Sequence, residues 1–318
     1  MNYNARKRIL PAAAGALAAL VLGGLPAMAQ DRSATDPETC RDMWRAIGLP
    51  HLTKDLADEE YVIVCHKGYV TFHNNTTKTP DWVIEHMTRE QVSGDNDRPG
   101  IGFRSEPEAP ADRRANDADY RNSGYARGHQ AASEDFNFDV EFMKDTFFFS
   151  NAVPQVGNGF NSGVWSSLEK LVRDVAIERG EIYVITGPVY SEKKGPPPTI
   201  TEEANACGQR IEFAAPVKRS ICDENDNDES KACASGVAVP VGLFKIIYDP
   251  ARKRVNAYVF PNEDHRPLKK STKTNSYLKR YRVSVAVLED YAGFDFFTAL
   301  SRRKQIVIEQ NCPATFLR

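Results

Sequence analysis

The segment Tyr125-Ala126-Arg127-Gly128-His129-Gln130 holds the densest unusual chemistry in the chain. On an extended backbone side chains alternate between faces, so Arg127 and His129 project together. A guanidinium beside an imidazole can hold a phosphate while the imidazole takes a proton from water. Gly128 between them reads as room for a bulky ligand to approach the backbone. An Arg-Gly-His tripeptide also arises by chance, and a lone histidine is more often structural. The order of the segments downstream gives this one weight.

Asp145-Thr146-Phe147-Phe148-Phe149-Ser150 reads as a buried strand from its aromatic run, and Asn151-Ala152-Val153-Pro154-Gln155 carries it into a turn. Phe160-Asn161-Ser162-Gly163-Val164-Trp165 then opens a helix through Leu168-Glu169, with Trp165, Leu168, Leu171, Val172 and Val175 at helical spacing. Asn161 and Glu169, eight residues apart, would lie about 80° apart around a regular helix and about 12 Å apart along it. Asn161 at the start of this helix is well suited to an N-terminal cap.

These segments together resemble the DNA/RNA non-specific endonucleases. The resemblance rests on Gly124 to His129, Ser150 to Gln155 and Asn161 to Glu169, and extends over about residues 60–300. Tyr183 to Tyr190 and Val239 to Tyr248 look like further strand segments of that family. The resemblance implies an α+β fold, with a ββα-metal nuclease core inside a central antiparallel sheet flanked by helices. It implies His129 as general base, Asn161 as the direct protein ligand of a Mg²⁺ ion (Mn²⁺ as substitute), Arg127 as a phosphate contact and Glu169 as orienting metal-bound water. It further implies hydrolysis of DNA and RNA to 5′-phosphate ends. One position departs: the family usually has Asp before Arg-Gly-His, and Ala126 stands there. A catalytically weakened nucleic-acid-binding relative and a small-phosphodiester hydrolase stay open as alternatives.

Other elements must hold this constellation. Asp36–Ile47 reads as a helix capped by Asp36 with Pro37 in its first turn. Tyr61–Cys65 and Tyr69–Asn74 read as a hairpin turning near Lys67-Gly68. Pro80 followed by Asp81 to Met87 reads as a short helix, and residues 93–123, with Pro99, Pro107 and Pro110, as a long surface loop. Glu181–Thr186 is expected as a strand ended by Gly187-Pro188, Val237–Tyr248 and Val255–Phe260 as a strand pair, and 284–300 as a final helix. Strands and helices do not alternate in a βαβ rhythm, which favours α+β.

Arg98, Arg104, Arg113, Arg114 and Arg121 lie in the loop leading to Arg127; Arg98, Arg104 and Arg121 are carried forward as candidate substrate contacts. An unperturbed histidine titrates at about 6.5, so a His129 base implies activity rising through mildly acidic pH.

The chain has 318 residues, 41 Lys plus Arg against 43 Asp plus Glu, and 41% hydrophobic residues, enough for a large core. After the N-terminus no second long apolar run follows, which excludes a multi-span membrane protein. Arg6, Lys7 and Arg8, an Ala/Leu/Gly-rich stretch to Leu25 and Ala27-Met28-Ala29 read as a signal peptide. Residues 1–29 would be removed, leaving 30–318 as a single domain, periplasmic or secreted and without stable membrane association. The mature chain would carry 38 basic against 43 acidic residues, net −5.

That average hides an acidic run at Asp223–Glu229 and a stretch, 252–282, with ten Lys or Arg against Glu263 and Asp264. The basic stretch can track a phosphate backbone without reading bases. A homodimer is compatible with the sequence. Six cysteines in an oxidising compartment favour disulfides; fifteen pairings are open, and local separation favours Cys40–Cys65 and Cys222–Cys233, which leaves Cys207–Cys312. A metal site on Cys65, His66 and His73 matches no zinc spacing.

Overall fold

A computed structural model describes residues 35–53, 60–98, 100–190, 197–222, 236–266 and 278–313. All of them belong to one compact unit, Ser33–Arg318. The signal-like segment, the acidic run and 267–277 of the basic stretch lie outside the described residues.

The organising element is a seven-stranded antiparallel sheet. Its strands are β1 (Tyr61–Cys65), β2 (Tyr69–Asn74), β3 (Thr79–Thr88), β6 (Glu181–Val189), β7 (Gly242–Asp249), β8 (Arg254–Pro261) and β9 (Arg282–Val283). They stand in the order β9-β8-β7-β6-β3-β2-β1. A separate antiparallel pair, β4 (Tyr125–His129) and β5 (Ala152–Val156), carries the site. The helices are α1 (Asp117–Tyr120), α2 (Val140–Asp145), α3 (Ser166–Arg179), α4 (Val285–Ala292) and α5 (Arg302–Glu309).

Cross-strand partners share a face, and the register divides the sheet's two surfaces by chemistry. Val70, Ile84, Ile185, Ile246 and Ala257 form one row across it, all apolar. On this side Phe72 and Trp82 meet Phe294 edge-on, at centroid separations of 5.2 and 6.4 Å. The neighbouring row runs Val64, Thr71, Val83, Thr186, Lys245, Tyr258 on the opposite face. Three of these six are polar and buried, which a sheet tolerates only where partners are supplied. Thr71 Oγ1 donates to the Ser150 carbonyl at 2.8 Å, and Lys245 Nζ donates to Thr186 Oγ1 at 2.6 Å. The β4–β5 pair and the start of α3 lie over this polar face.

Several sequence expectations change. The segment expected as a helix after Pro80 is strand β3, buried along nearly all its length. Both of its edges are paired and both faces covered, so Trp82, Val83 and Ile84 are all buried and the period-2 pattern is masked. Pro80 falls where the β2–β3 register shifts, a position that tolerates a missing N–H. The expected strand at Asp145–Ser150 is instead the end of α2 followed by a 3₁₀ turn, Phe149–Asn151. Its three phenylalanines are buried or half-buried walls rather than strand residues, and their only ladder contact is an isolated bridge from Phe148 to Arg104.

Strand β6 runs past Gly187-Pro188 to Val189, and the strand expected from Val237 begins at Gly242, with Val237–Ala238 pairing instead with Ser220–Ile221. The last expected helix stops at Ala292, where Gly293 takes φ +75° as a left-handed cap, and a further helix, α5, follows. The Tyr61–Cys65/Tyr69–Asn74 hairpin forms as expected, and Asp36 accepts from the Glu38 amide over a 3₁₀ helix, Pro37–Met43, shorter than the expected helix to Ile47. Disulfides join Cys40 to Cys65 and Cys207 to Cys312; Cys222 is also disulfide-bonded, and Cys233 lies outside the described residues. With Cys65 so bonded, a Cys65–His66–His73 metal site is ruled out.

Candidate active site

Strand β4 delivers Arg127 and His129, and β5 supports it in the register Arg127 to Pro154 and His129 to Ala152. Gly128 has a different purpose from the one its smallness suggested. A Cβ there would collide with the Gln155 side chain, which occupies the space beside it. The missing side chain admits Gln155, not a ligand.

The His129 ring is half-buried against Phe103 (centroids 4.7 Å) and edge-on to Phe147 (4.9 Å). Its Nε2 is buried with no hydrogen-bond partner among the described residues. Burial, aided by the Arg98 charge, pushes the imidazole pKa down to about 3. Arg98 is exposed, with its guanidinium carbon 4.9 Å from the Phe147 ring centroid. Of the three arginines proposed for substrate, it is the one whose charge is felt at His129.

Arg104 stacks on Phe148 at 3.9 Å and pairs with Asp145 at 3.5 Å. Arg121 pairs with Asp117 at 3.3 Å on the exposed rim of α1. Arg127 reaches the same Asp117 at 2.6 Å and lies over the Tyr120 ring at 5.7 Å. Tyr120 stacks on Phe149, and Phe149 meets Phe103, so one aromatic wall carries both Arg127 and His129.

That wall is clamped from below by His66. Its Nε2 lies 3.2 Å from Glu106 and its Nδ1 3.5 Å from Asp145, and the ring stacks on Tyr69 and packs against Phe148. Burial alone would lower its pKa, but hydrogen bonds and charge from Asp145 and Glu106 outweigh it and raise it.

Asn161 lies in a widened turn, Gly157–Trp165, of π-helical character, and Ser162 within it is non-helical. The regular-helix spacing between Asn161 and Glu169 therefore does not apply, since regular geometry begins only at Ser166. Asn161 makes no side-chain cap: α3 starts from Trp165 without one. Gln130 and Trp165 tie this turn to His129 through Lys245, whose Nζ donates to the Gln130 carbonyl at 3.4 Å and stands 5.3 Å from the Trp165 ring.

Glu169, one turn further, feels the same Lys245. Burial pushes its carboxyl up to about 7, opposed by Lys245 and reinforced by Asp135. Neither the Asn161 amide nor the Glu169 carboxylate makes a side-chain hydrogen bond to another described residue. A neutral amide oxygen and a carboxylate, each without a side-chain hydrogen bond, are donor types suited to a hard divalent cation.

Sequence reasoning passed over the groups behind these. Arg173, one turn after Glu169, pairs with buried Asp135 at 2.7 Å. Glu85, buried on β3, is held protonated well above the usual carboxylate range by burial, then by the Asp135 charge. The i, i+4 spacing of Glu169 and Arg173 was a usable signal for the first. A lone Glu inside a strand, misread as helix, gave none for the second.

The matched family model, DNA/RNA non-specific endonuclease, covers residues 53–303. The chain is 33% identical over 276 residues to a mitochondrial nuclease of Saccharomyces cerevisiae, covering 83% of this chain and 73% of that protein. It is 31% identical over 263 residues to a nuclease of Syncephalastrum racemosum, covering 81% and 72%. A crystal structure of the EndoG/EndoGI complex superposes with a TM-score of 0.62 at 27% identity, covering 83% of this chain and 94% of that one. The fold and site define an α+β nuclease in which a ββα unit, β4–β5–α3, lies on a central antiparallel sheet. The chain belongs to the DNA/RNA non-specific endonuclease family, and is a metal-dependent hydrolase of that class.

Proposed function

We propose that this protein is an exported, Mg²⁺-dependent, sugar-non-specific endonuclease that cleaves DNA and RNA to 5′-phosphate ends. The observation that carries the reading is His129: an unpartnered imidazole, kept neutral by its surroundings, two residues from a guanidinium that can hold phosphate. His129 takes the proton from the attacking water, which its neutral form can do over the whole physiological range. Arg127 exchanges Asp117 for a phosphate oxygen of the substrate, a charge-assisted contact of the same kind. Asn161 would hold the ion through its amide oxygen, and Glu169 would orient water beside it. A bound Mg²⁺, or Mn²⁺ in its place, would neutralise the scissile phosphate and stabilise the leaving 3′ oxygen. Ala126 leaves this assignment intact, because neither the base nor the ligand sits there.

Arg98, exposed and with its charge reaching His129, is the best placed of the candidate substrate arginines. The N-terminal signal-like segment supports cleavage after Ala29 and a periplasmic or secreted location. Among the described residues no helix is long and apolar enough to cross a membrane.

Incubating the mature protein with plasmid DNA and Mg²⁺, with and without EDTA, tests the activity. Metal-dependent nicking and then degradation is the expected result, with a parallel loss of structured RNA. DNA retarded on a gel but never cut would instead make the protein a binder of the same fold. Rapid turnover of a small phosphodiester with inert polymers would make it a small-substrate hydrolase. His129→Ala should abolish cleavage while leaving the fold and ion binding intact.

A further inference from the structure

On the apolar side of the sheet, α4, Phe294–Asp295 and α5 bring three carboxylates together, from Glu289, Asp295 and Glu309. One ligand oxygen from each lies within 4.8 Å of the other two. Two oxygens on a single Ca²⁺, bonded at about 2.4 Å, can be about 4.8 Å apart at most, so the spacing fits one ion of that size.

Three carboxylates in one place call for cationic partners, and the described neighbours supply little. Arg302 is largely exposed, reaches Asp295 only at 3.8 Å and donates instead to Gln305 Oε1 at 3.2 Å. The Gln305 amide gives its Nε2 hydrogens to Asp295 Oδ1 and the Phe296 carbonyl, both at 2.7 Å. Glu289 Oε1 accepts from the Phe296 amide at 2.8 Å. Glu309 hydrogen-bonds with Glu289 and Gln305, but through only one of its oxygens. It is 4% exposed, and its Oε1 is buried with no hydrogen-bond partner among the described residues. A buried carboxylate oxygen without a donor is costly unless a proton or a cation completes it.

We infer that Glu289, Asp295 and Glu309 form a binding site for a divalent cation, Ca²⁺ by size and donor type, separate from the nuclease centre. The ion would fasten α4 to α5 across Asp295, whose neighbour Phe294 packs on Phe72 and Trp82. Asp295, half-exposed, gives the ion its way in.

The test is calorimetric and thermal titration of the full mature chain with CaCl₂ alone, in wild type, Asn161→Ala and the double variant Asn161→Ala/Glu309→Gln. Asn161→Ala removes the proposed nuclease ion, so any calcium binding it retains belongs elsewhere. The expected result is calcium binding in Asn161→Ala with a melting point raised by roughly 5 °C at a hundredfold excess over Kd. Both effects should be absent once Glu309→Gln is added to Asn161→Ala. Should that double variant fail to fold, Asp295→Asn at the half-exposed position, again added to Asn161→Ala, gives the same readout. Calcium-dependent stabilisation undiminished in both carboxylate variants would overturn the site. So would its absence from wild type and Asn161→Ala alike, which would leave Glu289 and Glu309 sharing a proton.

Discussion

At the scale of single residues, the environment of His129 departs most from what its identity implies. The residue type alone places its titration at about 6.5, with activity rising through mildly acidic pH. Instead, burial against Phe103 and Phe147 and the Arg98 charge hold it at about 3. A base is competent when neutral, that is above its pKa, so lowering the pKa extends the competent range toward acid. Nuclear magnetic resonance of the His129 imidazole should therefore show no protonation down to about pH 4. In Arg98→Ala one repulsive cation is lost and the ring is better hydrated; both changes favour the imidazolium, so the midpoint should move up. A native midpoint at the unperturbed value, or a downward move in the variant, would contradict this account of the base.

At the scale of elements, the site depends on how closely β4 and β5 interlock. Gln155 fills the space that Gly128 vacates, and both are buried. Gly128→Ala should overpack the pair and cost about 1–3 kcal/mol of stability, with a fall in kcat from the displaced His129. Adding Gln155→Ala removes the obstructing side chain and should recover much of that loss. Urea denaturation and kcat across the four proteins of this cycle measure the coupling, and strictly additive effects would remove Gln155 as the reason for Gly128.

The same pair shows what a sequence can reveal. Arg127, His129, Asn161 and Glu169 could be put forward as candidates from the sequence because they stand in short segments whose order is distinctive. Strand β3 was not, because a central strand covered on both faces loses its period-2 pattern and Pro80 imitates a helix start. The phenylalanines at 147–149 misled for a related reason. An aromatic run signals burial, and burial against His129 and Arg104 needs no strand. Glu85 and Lys245 were invisible because their neighbours, Asp135 for the first and Thr186, Gln130 and Trp165 for the second, are brought within reach only by the folded sheet.

For the whole molecule, the cysteines decide how far the fold depends on its compartment. Cys207–Cys312 closes 105 residues of chain and Cys40–Cys65 closes 25. Loop closure restricts the unfolded chain, and the restriction grows slowly with loop length. The longer bond should therefore contribute about 4–5 kcal/mol and the shorter one about 3. The longer bond also holds the C-terminal residues against the far edge of the sheet, where the Pro313 carbonyl accepts from Arg282 at 3.1 Å. No residue proposed for the chemistry belongs to either bond. Denaturation of the paired variants Cys207→Ser/Cys312→Ser and Cys40→Ser/Cys65→Ser should therefore show both destabilised, the first more than the second. Each should keep near-native nuclease activity at low temperature while still folded. Equal stability of the first variant and the parent would mean that the bond restrains a chain already held by its packing, and the argument from an oxidising compartment would lose its energetic basis.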